Sequence, residues 1–418
     1  MRIAHVLRRL SFSDWGGTEQ VVWNVARAQR AAGHDVRIFA TTALRPVARE
    51  TRDGLEILRF RPIYPWWPMP RRLVSELDRK GGNPLVPGLG RALRSWRPDV
   101  IHCHAMARLA ELCLRVAEKT GAKSVVSLHG GGALVPEAEA ESLRAPTRGR
   151  IPWGKALDFA LRRTRRVPED FDGIVCVGED EAEHWRTRHP HVLFLPNGVD
   201  CALFRERGAL AAPLQPPQAA AGGARERPSG AESGDSRAPA AHVLCVARID
   251  RQKGQLALVE WLGRHPEAEL RLVGPVTQPD YLDEIRARAA ALGASARLSV
   301  VGPLPPGSPE LAAEYRAADV FALASRHEPF GIAVLEAWAA GVPVAASRVG
   351  GLARLCAANP GAAVMFDPDD PASLDAALGR ILAPDFPRAR AVAAGLAAAE
   401  AYDWGRLSGR LLDFYSEL

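Results

Sequence analysis

The chain has 418 residues, 47% of them hydrophobic, which is enough for two or three domains with buried cores. Its formal net charge of +6 is compatible with binding to nucleic acid, acidic membranes or phosphorylated ligands, but does not distinguish among these partners. No uncharged apolar run reaches membrane-spanning length, and the one near the N-terminus is too short for a signal peptide. The six scattered cysteines lack a CxxC pair. We therefore expect a cytoplasmic protein with buried, reduced thiols.

The chain opens with the pattern of a βαβ unit. Residues 3–7 are predicted as a strand, residues 18–32 as a helix and residues 35–40 as a second strand in a parallel sheet. Gly16 and Gly17 lie in the first turn, where glycines let the backbone approach phosphate or sugar, although a plain tight turn is an equal alternative. The dinucleotide fingerprint G-x-G-x-x-G is absent.

Residues 62–90 are rich in proline, tryptophan and arginine and are predicted to be irregular. The aromatic cluster at 64–69 could bind an acceptor or lipid, but packing over the edge of the domain is favoured. Basic clusters occur at 71–72 and at 162–166. A solvated surface is the favoured interpretation of each cluster. Five apolar residues precede the second cluster, so contact with a membrane surface is its more specific alternative. They are Ala156, Leu157, Phe159, Ala160 and Leu161.

Two later strands end in histidines. Residues 99–103 form the first, and His102 and His104 share one face of it, as two metal ligands would. A third ligand is not evident from the sequence, so a structural role is favoured. Residues 123–128 form the second strand and end at His129, which three glycines follow. The carboxyl ends of parallel strands are where open α/β sheets bind ligands, so His129 is a candidate site residue.

The composition predicts where the domains meet. Residues 1–204 form a first domain of alternating strands and helices, closed by the turn Pro-Asn-Gly at 196–198. Residues 205–241 are rich in Ala, Pro, Gly and Ser and cannot build a core, so they are predicted as a linker or insert. Residues 242–401 form a second domain, and an amphipathic helix is predicted at 402–418.

The second domain begins with a strand at 242–246, followed by Arg248 and Lys253 in the loop before a helix. Two cations that flank one loop can converge on one anion, although two solvated charges are the alternative. A further strand at 297–301 runs into the loop that carries Leu304.

The stretch at 325–341 carries the strongest pattern in the chain. It follows a buried strand at 320–323, and Pro329 keeps Glu328 out of helical conformation. A helix then begins near Gly331, and its unpaired N–H groups favour a diphosphate. Glu336 can accept hydrogen bonds from ribose hydroxyls, and Glu328 from a sugar ring. The candidate substrate-binding residues here are Pro329, Phe330, Gly331, Ile332 and Glu336.

Two later motifs have competing interpretations. Gly350 and Gly351, after a further strand, could again face phosphate. The sequence Asp-Pro-Asp at 367–369 has the form of a metal-binding D-x-D motif. We reject a metal site there, because Asp370 and Pro371 are typical of a helix N-cap and first helical residue.

These motifs resemble those of the family 4 (group 1) retaining glycosyltransferases. Glu-Pro-Phe-Gly at 328–331 with Ala-Gly-Val-Pro-Val at 340–344 resembles the family's E-x7-E signature. Gly-Gly-Thr-Glu at 16–19, Ala-Gly-His-Asp-Val at 32–36 and Pro-Asn-Gly-Val-Asp at 196–200 are similar to other family motifs. The resemblance covers nearly the whole chain except 62–90 and 205–241.

The resemblance implies an α/β protein of GT-B fold, with two doubly wound Rossmann-like domains that face each other across a cleft. It assigns Arg248 and Lys253 to the donor's diphosphate, Leu304 to the nucleotide base, and Glu328 and His129 to the transferred sugar. It also implies that the terminal helix crosses back to the first domain.

The implied activity is retaining, metal-independent transfer of a hexosyl group from a nucleotide-diphosphate sugar, with no cofactor. We expect a glycan or lipid-linked acceptor in polysaccharide, lipopolysaccharide or glycolipid synthesis. A lipid-linked acceptor would also imply peripheral contact of the protein with the inner face of the membrane.

The sequence leaves three alternative functions. A GT-B sugar-nucleotide epimerase would bind the same donor and convert it without an acceptor. A non-catalytic sugar-nucleotide-binding subunit is disfavoured, because the candidate reaction groups are all present. A nucleic-acid binder would need a coherent basic stripe with stacking aromatics; the basic residues are dispersed, so we expect no nucleic-acid partner.

Overall fold

A computed structural model describes residues 1–12, 16–80, 83–129, 151, 153–154, 166–205 and 241–418. These residues form two units: Met1–Gly198 together with Ala401–Leu418 (unit 1), and Val199–Glu400 (unit 2). Three predicted features lie wholly or mainly outside the described residues. They are the linker at 205–241, the glycines after His129, and the basic cluster at 162–166 with the apolar residues before it.

Unit 1 is built on an eight-stranded sheet with the order β3-β4-β2-β1-β5-β6-β7-β8. All neighbouring strands are parallel except β3 and β4, which form an antiparallel hairpin. The strands are β1 (Arg2–Arg9), β2 (Asp35–Thr41), β3 (Arg49–Arg52), β4 (Leu55–Phe60), β5 (Val100–Cys103), β6 (Lys123–Leu128), β7 (Gly173–Cys176) and β8 (Val192–Phe194). The described helices of unit 1 are α1 (Gly17–Ala31), α2 (Arg71–Lys80), α3 (Pro87–Trp96), α4 (Ala107–Thr120), α5 (Glu179–Arg186) and the carboxy-terminal α14 (Trp404–Glu417).

Apart from the polar edge strand β3, the strands of unit 1 are rich in apolar residues because helices cover both faces of a parallel sheet. Ile3 of β1 pairs with Val36 of β2 on one side and with Val100 of β5 on the other. Residues on one side pack with α1 and α14, and residues on the other pack with α3 and α4. The carboxy-terminal helix contributes Leu407, whose side chain is fully buried in the first of these clusters.

The prediction that residues 62–90 are irregular is wrong in part, because they contain α2 and the start of α3. Helix α2 begins directly after the last of the closely spaced prolines. Its Leu73 and Leu77, four residues apart on one face, pack with Tyr64. The Tyr64 hydroxyl donates a hydrogen bond to Asp78 Oδ1 at 2.6 Å. Packing therefore accounts for part of the aromatic cluster, while Trp67 remains 64% exposed.

Unit 2 is built on a six-stranded, wholly parallel sheet with the order β11-β10-β9-β12-β13-β14. Its strands are β9 (Ala241–Val246), β10 (Ala268–Val273), β11 (Leu298–Val301), β12 (Val320–Leu323), β13 (Val344–Ser347) and β14 (Ala363–Phe366). Its described helices are α6 (Cys201–Arg205), α7 (Gln255–Arg264), α8 (Pro279–Ala291), α9 (Pro309–Arg316), α10 (Ile332–Ala339), α11 (Gly350–Ala358), α12 (Pro371–Leu382) and α13 (Arg388–Ala401). The strand order reverses between β9 and β12, as in doubly wound folds.

Helix α10 is held in place by its tryptophan. The Trp338 side chain is almost fully buried, and its Nε1 donates to the carbonyl oxygen of Ala362 at 2.7 Å. A Cβ atom added at Gly395 of α13 would lie 2.8 Å from the Trp338 ring, so a glycine is needed for that close approach. This packing anchors the helix that follows the Glu328 turn.

Two further sequence predictions are confirmed. The six cysteines are all free and buried. Asp370 caps α12 by accepting a hydrogen bond from the backbone N–H of Ala372, with Pro371 as the first helical residue. Among the described helices, none combines the length and the apolar character that a bilayer crossing requires.

Candidate active site

Two loops of unit 2 lie side by side at the carboxyl end of its sheet. One follows β9 and carries Arg248 and Lys253, and the other follows β12 and carries Glu328. Because β9 and β12 are neighbours in the sheet, their loops emerge together. The N–H of Arg326 in the second loop donates to the carbonyl oxygen of Gln252 in the first at 2.7 Å. This edge is where open α/β sheets bind ligands.

The two loops bring together two of the predicted catalytic side chains. Lys253 Nζ lies 2.8 Å from Glu328 Oε2, although the residues are 75 positions apart in sequence. Their side chains are 13% and 14% exposed, so the pair is shielded but reachable. Ser325 Oγ lies 3.4 Å from the same carboxylate oxygen. A cation and a hydrogen-bond acceptor are thus held next to each other at this edge of the sheet.

The loop after β9 is held by its own hydrogen bonds. Asp250 caps a short 3-10 turn, Arg251–Lys253, by accepting from the N–H of Gln252 at 2.9 Å. The Arg248 guanidinium lies 3.6 Å from Asp250 and is half exposed. Gln255 Nε2 donates to the carbonyl oxygen of Arg248 at 2.7 Å, which fixes the backbone there. Arg248 and Lys253 therefore sit in one ordered loop.

A third cation in the same loop is engaged elsewhere. The Arg251 guanidinium pairs with Glu284 at 2.5 Å and with Asp280 at 3.3 Å, both on α8. These exposed ion pairs hold the Arg251 guanidinium against α8, whereas Arg248 lies near Asp250 and Lys253 contacts Glu328. The sequence alone gave no reason to set Arg251 aside.

The turn that carries Glu328 is shaped by three glycines. Gly331 has a φ of +101°, which favours glycine, and it occupies the N-cap position of α10. A Cβ atom at Gly351 would lie 1.8 Å from the carbonyl oxygen of Pro329, and one at Gly350 would lie 2.8 Å from that of Glu328. The N–H of Gly351 donates to the Glu328 carbonyl oxygen at 3.0 Å. Gly350 and Gly351 thus support the turn, a role that sequence reasoning missed.

Glu336 is placed differently from Glu328. It lies inside α10, only 6% exposed, and the Tyr315 hydroxyl donates to its Oε2 at 2.7 Å. Burial raises the pKa of Glu336 to about 7, against the lowering effect of the hydrogen bond from Tyr315. Near neutral pH this carboxyl group therefore changes between a form that can donate and a form that only accepts.

This pKa leads to a pH prediction. If Glu336 accepts hydrogen bonds from ribose hydroxyls, nucleotide affinity should rise as the pH is raised through about 7, because the carboxylate form becomes populated. We expect up to about a tenfold weaker affinity for each pH unit below the pKa. Isothermal titration of a nucleoside diphosphate between about pH 5.5 and 8.5 measures this. The Glu336→Gln variant should lose that part of the pH dependence, and an unchanged slope would rule out the assignment.

In unit 1 the predicted residues lie at one edge of the sheet, where β1 and β6 end. Gly16 is the N-cap of α1, and Gly17 begins that helix. A Cβ atom at Gly16 would lie 2.6 Å from Glu19, whose carboxylate pairs with Arg9 at 2.9 Å. His129 directly follows β6, and its Nε2 lies 3.2 Å from Nδ1 of His104. Burial lowers the pKa of His129 to about 4, so it is neutral at neutral pH.

One sequence statement about the histidines is wrong. A third possible metal ligand does exist near His102 and His104. It is His5, and one ring nitrogen of each of the three lies within 4.8 Å of the others. His5 was missed because it is about a hundred residues earlier in the chain, yet it pairs with His102 in the register of β1 and β5. All three side chains are buried and hydrogen-bonded to protein groups.

The remaining predicted residues occupy the same edge of the sheet in unit 2. Leu304 lies partly exposed in the loop after β11. Asp369 of the rejected D-x-D motif pairs with Arg326 at 3.0 Å, and its N–H donates to Asp367 Oδ1 at 2.9 Å. Both aspartates therefore have protein partners.

Two known protein families match the two halves of the chain. Residues 15–203 match the family described as Glycosyltransferase Family 4, and residues 232–395 match that described as Glycosyl transferases group 1. The chain is similar to proteins named D-inositol 3-phosphate glycosyltransferase. The one from Xylanimonas cellulosilytica is 30% identical and aligns over 97% of this chain and 92% of its own length. The one from Streptosporangium roseum is 36% identical, over 96% and 88%.

A solved structure is similar over the whole chain. Anabaena HepE, determined in complex with UDP, superposes with a TM-score of 0.65 and 18% identity, and the match covers 100% of both chains. At this identity the likeness supports the fold. The prediction of two parallel-sheet Rossmann-like units is confirmed.

Proposed function

Because the chain belongs to the family 4 (group 1) glycosyltransferases of GT-B fold, we propose that it transfers a hexosyl group from a nucleotide-diphosphate sugar to an acceptor with retention of configuration and without a metal ion. The observation that carries the proposal is the contact between Lys253 and Glu328. It sets a cation beside a carboxylate, next to the glycine-shaped start of α10. The epimerase and the non-catalytic subunit are not favoured by the relatives, which are named as transferases.

Charge explains the proposed roles. Breaking the bond between sugar and diphosphate leaves negative charge on the diphosphate. Lys253, Arg248 and the N–H groups after Gly331 would stabilise that charge, in the place that a metal ion fills in other enzymes. Each donor is worth about 2–4 kcal/mol of transition-state stabilisation. The backbone from Pro329 to Ile332 would approach the phosphates, Leu304 would contact the base, and Glu336 the ribose.

The transferred sugar passes through an oxocarbenium-like state. Glu328 would orient it by accepting hydrogen bonds from its hydroxyls. In the proposed mechanism the acceptor attacks on the face that the diphosphate leaves, and the leaving phosphate takes the acceptor's proton. The family resemblance is the basis for three further residues, all in unit 1, that would contact the sugar or acceptor. They are His129, Gly16 and Gly17.

We propose a lipid-linked or glycan acceptor and peripheral contact with a membrane. The support is an exposed apolar patch in unit 1, where the backbones of Trp67 and Ile151 pair as an isolated bridge. Trp67, Ile151 and Trp153 are 64%, 58% and 39% exposed. Exposed aromatic and aliphatic side chains that flank arginines, here Arg71 and Arg72, are typical of interfacial binding. The relatives' name makes a phosphorylated cyclitol the competing acceptor class.

A transfer assay tests the proposal. Donors chosen by thermal shift from a panel of nucleotide sugars would be incubated with glycolipid vesicles, soluble glycans or inositol phosphate. We expect product only when an acceptor is present, the donor's anomeric configuration by proton NMR, and no loss of activity with EDTA. Donor converted without acceptor would favour the epimerase, an inverted anomer would contradict retention, and inactivation by EDTA would contradict metal independence.

A further inference from the structure

A line of hydrogen-bonded side chains runs through the interior of unit 1 and ends at His129. Gln29 Oε1 of α1 lies 2.7 Å from His5 Nε2. His5 Nδ1 lies 3.0 Å from His104 Nε2, and His104 Nδ1 lies 3.2 Å from His129 Nε2. Gln29 and His5 are fully buried, and His104 is 7% exposed. Each of the three histidines is therefore tied to the next through a ring nitrogen.

The glutamine determines which way the protons point along this line. Its carbonyl oxygen can only accept, so His5 Nε2 must carry the proton. A neutral imidazole has a single N–H, and His5 Nδ1 therefore accepts from His104 Nε2. By the same rule, His104 Nδ1 accepts from His129 Nε2. His129 is then left with an unprotonated Nδ1.

This order of protons requires neutral rings, and burial supplies this condition. Burial lowers the pKa of His5 to about 4 and that of His129 to about 4. It lowers the pKa of His104 well below the ordinary value, and the neighbouring histidines lower it further. At neutral pH each ring carries one N–H proton. The protonated nitrogen that Gln29 imposes on His5 therefore also fixes the protonated nitrogens of His104 and His129.

The orientation of the Gln29 amide is the remaining condition. Its Nε2 has no hydrogen-bond partner of ordinary geometry among the described residues. The oxygen end of the amide faces His5, since Oε1 is the atom that lies 2.7 Å from His5 Nε2. The Tyr415 hydroxyl itself bonds His102 Nδ1 at 2.5 Å.

A buried metal site is the other interpretation of these histidines, and the contacts weigh against it. Both ring nitrogens of His5, His102 and His104 already have protein partners. A metal ion would have to displace several of these bonds in a fully buried space.

We propose that Gln29, His5 and His104 are positioning residues that hold His129 as its Nε2-protonated tautomer, so that Nδ1 accepts a hydrogen bond from a substrate hydroxyl. The identity of that hydroxyl rests on the proposed function, whereas the tautomer does not. The second nitrogen of a functional histidine commonly sets its tautomer in this way. Here Gln29 sets the tautomer of His129 through the rings of His5 and His104, rather than by a direct contact of His129 with a carbonyl or carboxylate.

The test is a two-bond proton–nitrogen NMR spectrum of the full chain with 15N-labelled histidine at neutral pH. The His129→Gln variant identifies the His129 signals by their loss. We expect a protonated Nε2 and an unprotonated Nδ1 at His129, and the same at His104 and His5. In Gln29→Leu, which removes the accepting oxygen, both tautomers of His129 should be populated and its nitrogen shifts should move toward each other.

Ser127→Ala is the matched control, because it removes only the bond of 2.7 Å between Ser127 Oγ and His102 Nε2. The His129 shifts should then stay as in the wild type. A wild-type His129 that is protonated on Nδ1, mixed or charged would overturn the inference, even if Gln29→Leu fails to fold. Wild-type transfer by His129→Gln would instead refute the proposed role of His129 and leave the tautomer result standing.

Discussion

Replacing Lys253 with methionine should lower the turnover number for sugar transfer by about 10²–10³-fold, which corresponds to losing one preorganised donor at the leaving group. Methionine keeps much of the side-chain volume and removes the charge. Lys253 Nζ lies 2.8 Å from Glu328 Oε2, a contact that holds this cation at the candidate site. Steady-state kinetics with saturating acceptor measure the effect.

Lys119→Met is the matched control. Lys119 lies exposed in the last turn of α4, in unit 1, and its loss should leave turnover unchanged. The thermal midpoint must be measured for both variants, because removing one partner of a shielded ion pair is destabilising. A folded Lys253→Met enzyme with nearly wild-type turnover would refute the role of this lysine.

Gly254→Ala should lower kcat/KM by about 10²-fold, because the Lys253 loop would have to move away from the loop after β12. Gly254 has a φ of +64°, and an added Cβ would lie 2.1 Å from the carbonyl oxygen of Ala324. That oxygen belongs to backbone and cannot rotate aside. The shift needed would separate Lys253 from Glu328.

The chain offers an unusually close control in Gly293. Its φ is +63°, almost the same as at Gly254, but an added Cβ would meet nothing within 4 Å. Gly293→Ala therefore introduces the same backbone strain, about 1–2 kcal/mol, without the clash. We expect a modest fall in its thermal midpoint and normal activity. Equal losses of activity in the two variants would mean that strain, not loop placement, explains the effect.

The sequence predicted the elements whose pattern is local. Strands 123–128 and 320–323 were predicted with the bounds that the structure has. Each is a short apolar run that ends at a turn, the pattern of a strand buried on both faces. Helix α2 was missed because prolines dominate the residues before it, and its helical spacing covers only one short face.

Long-range contacts were out of reach of sequence reasoning. His5 could not be grouped with His102 and His104, since nothing local indicates that β1 and β5 are neighbours. The contact between Lys253 and Glu328 depends in the same way on the pairing of β9 with β12. The family resemblance supplied the candidate residues. The distance between them, and the ion pair between Arg251 and Glu284 of α8, follow only from the three-dimensional structure.

The central claim is that Arg248, Lys253 and the start of α10 bind one diphosphate. A crystal structure of the protein with a bound nucleoside diphosphate tests this claim most directly. The account predicts phosphate oxygens within hydrogen-bonding distance of Lys253 Nζ, the Arg248 guanidinium and the N–H groups that follow Gly331. A diphosphate bound elsewhere, or one that contacts neither cation, would contradict it.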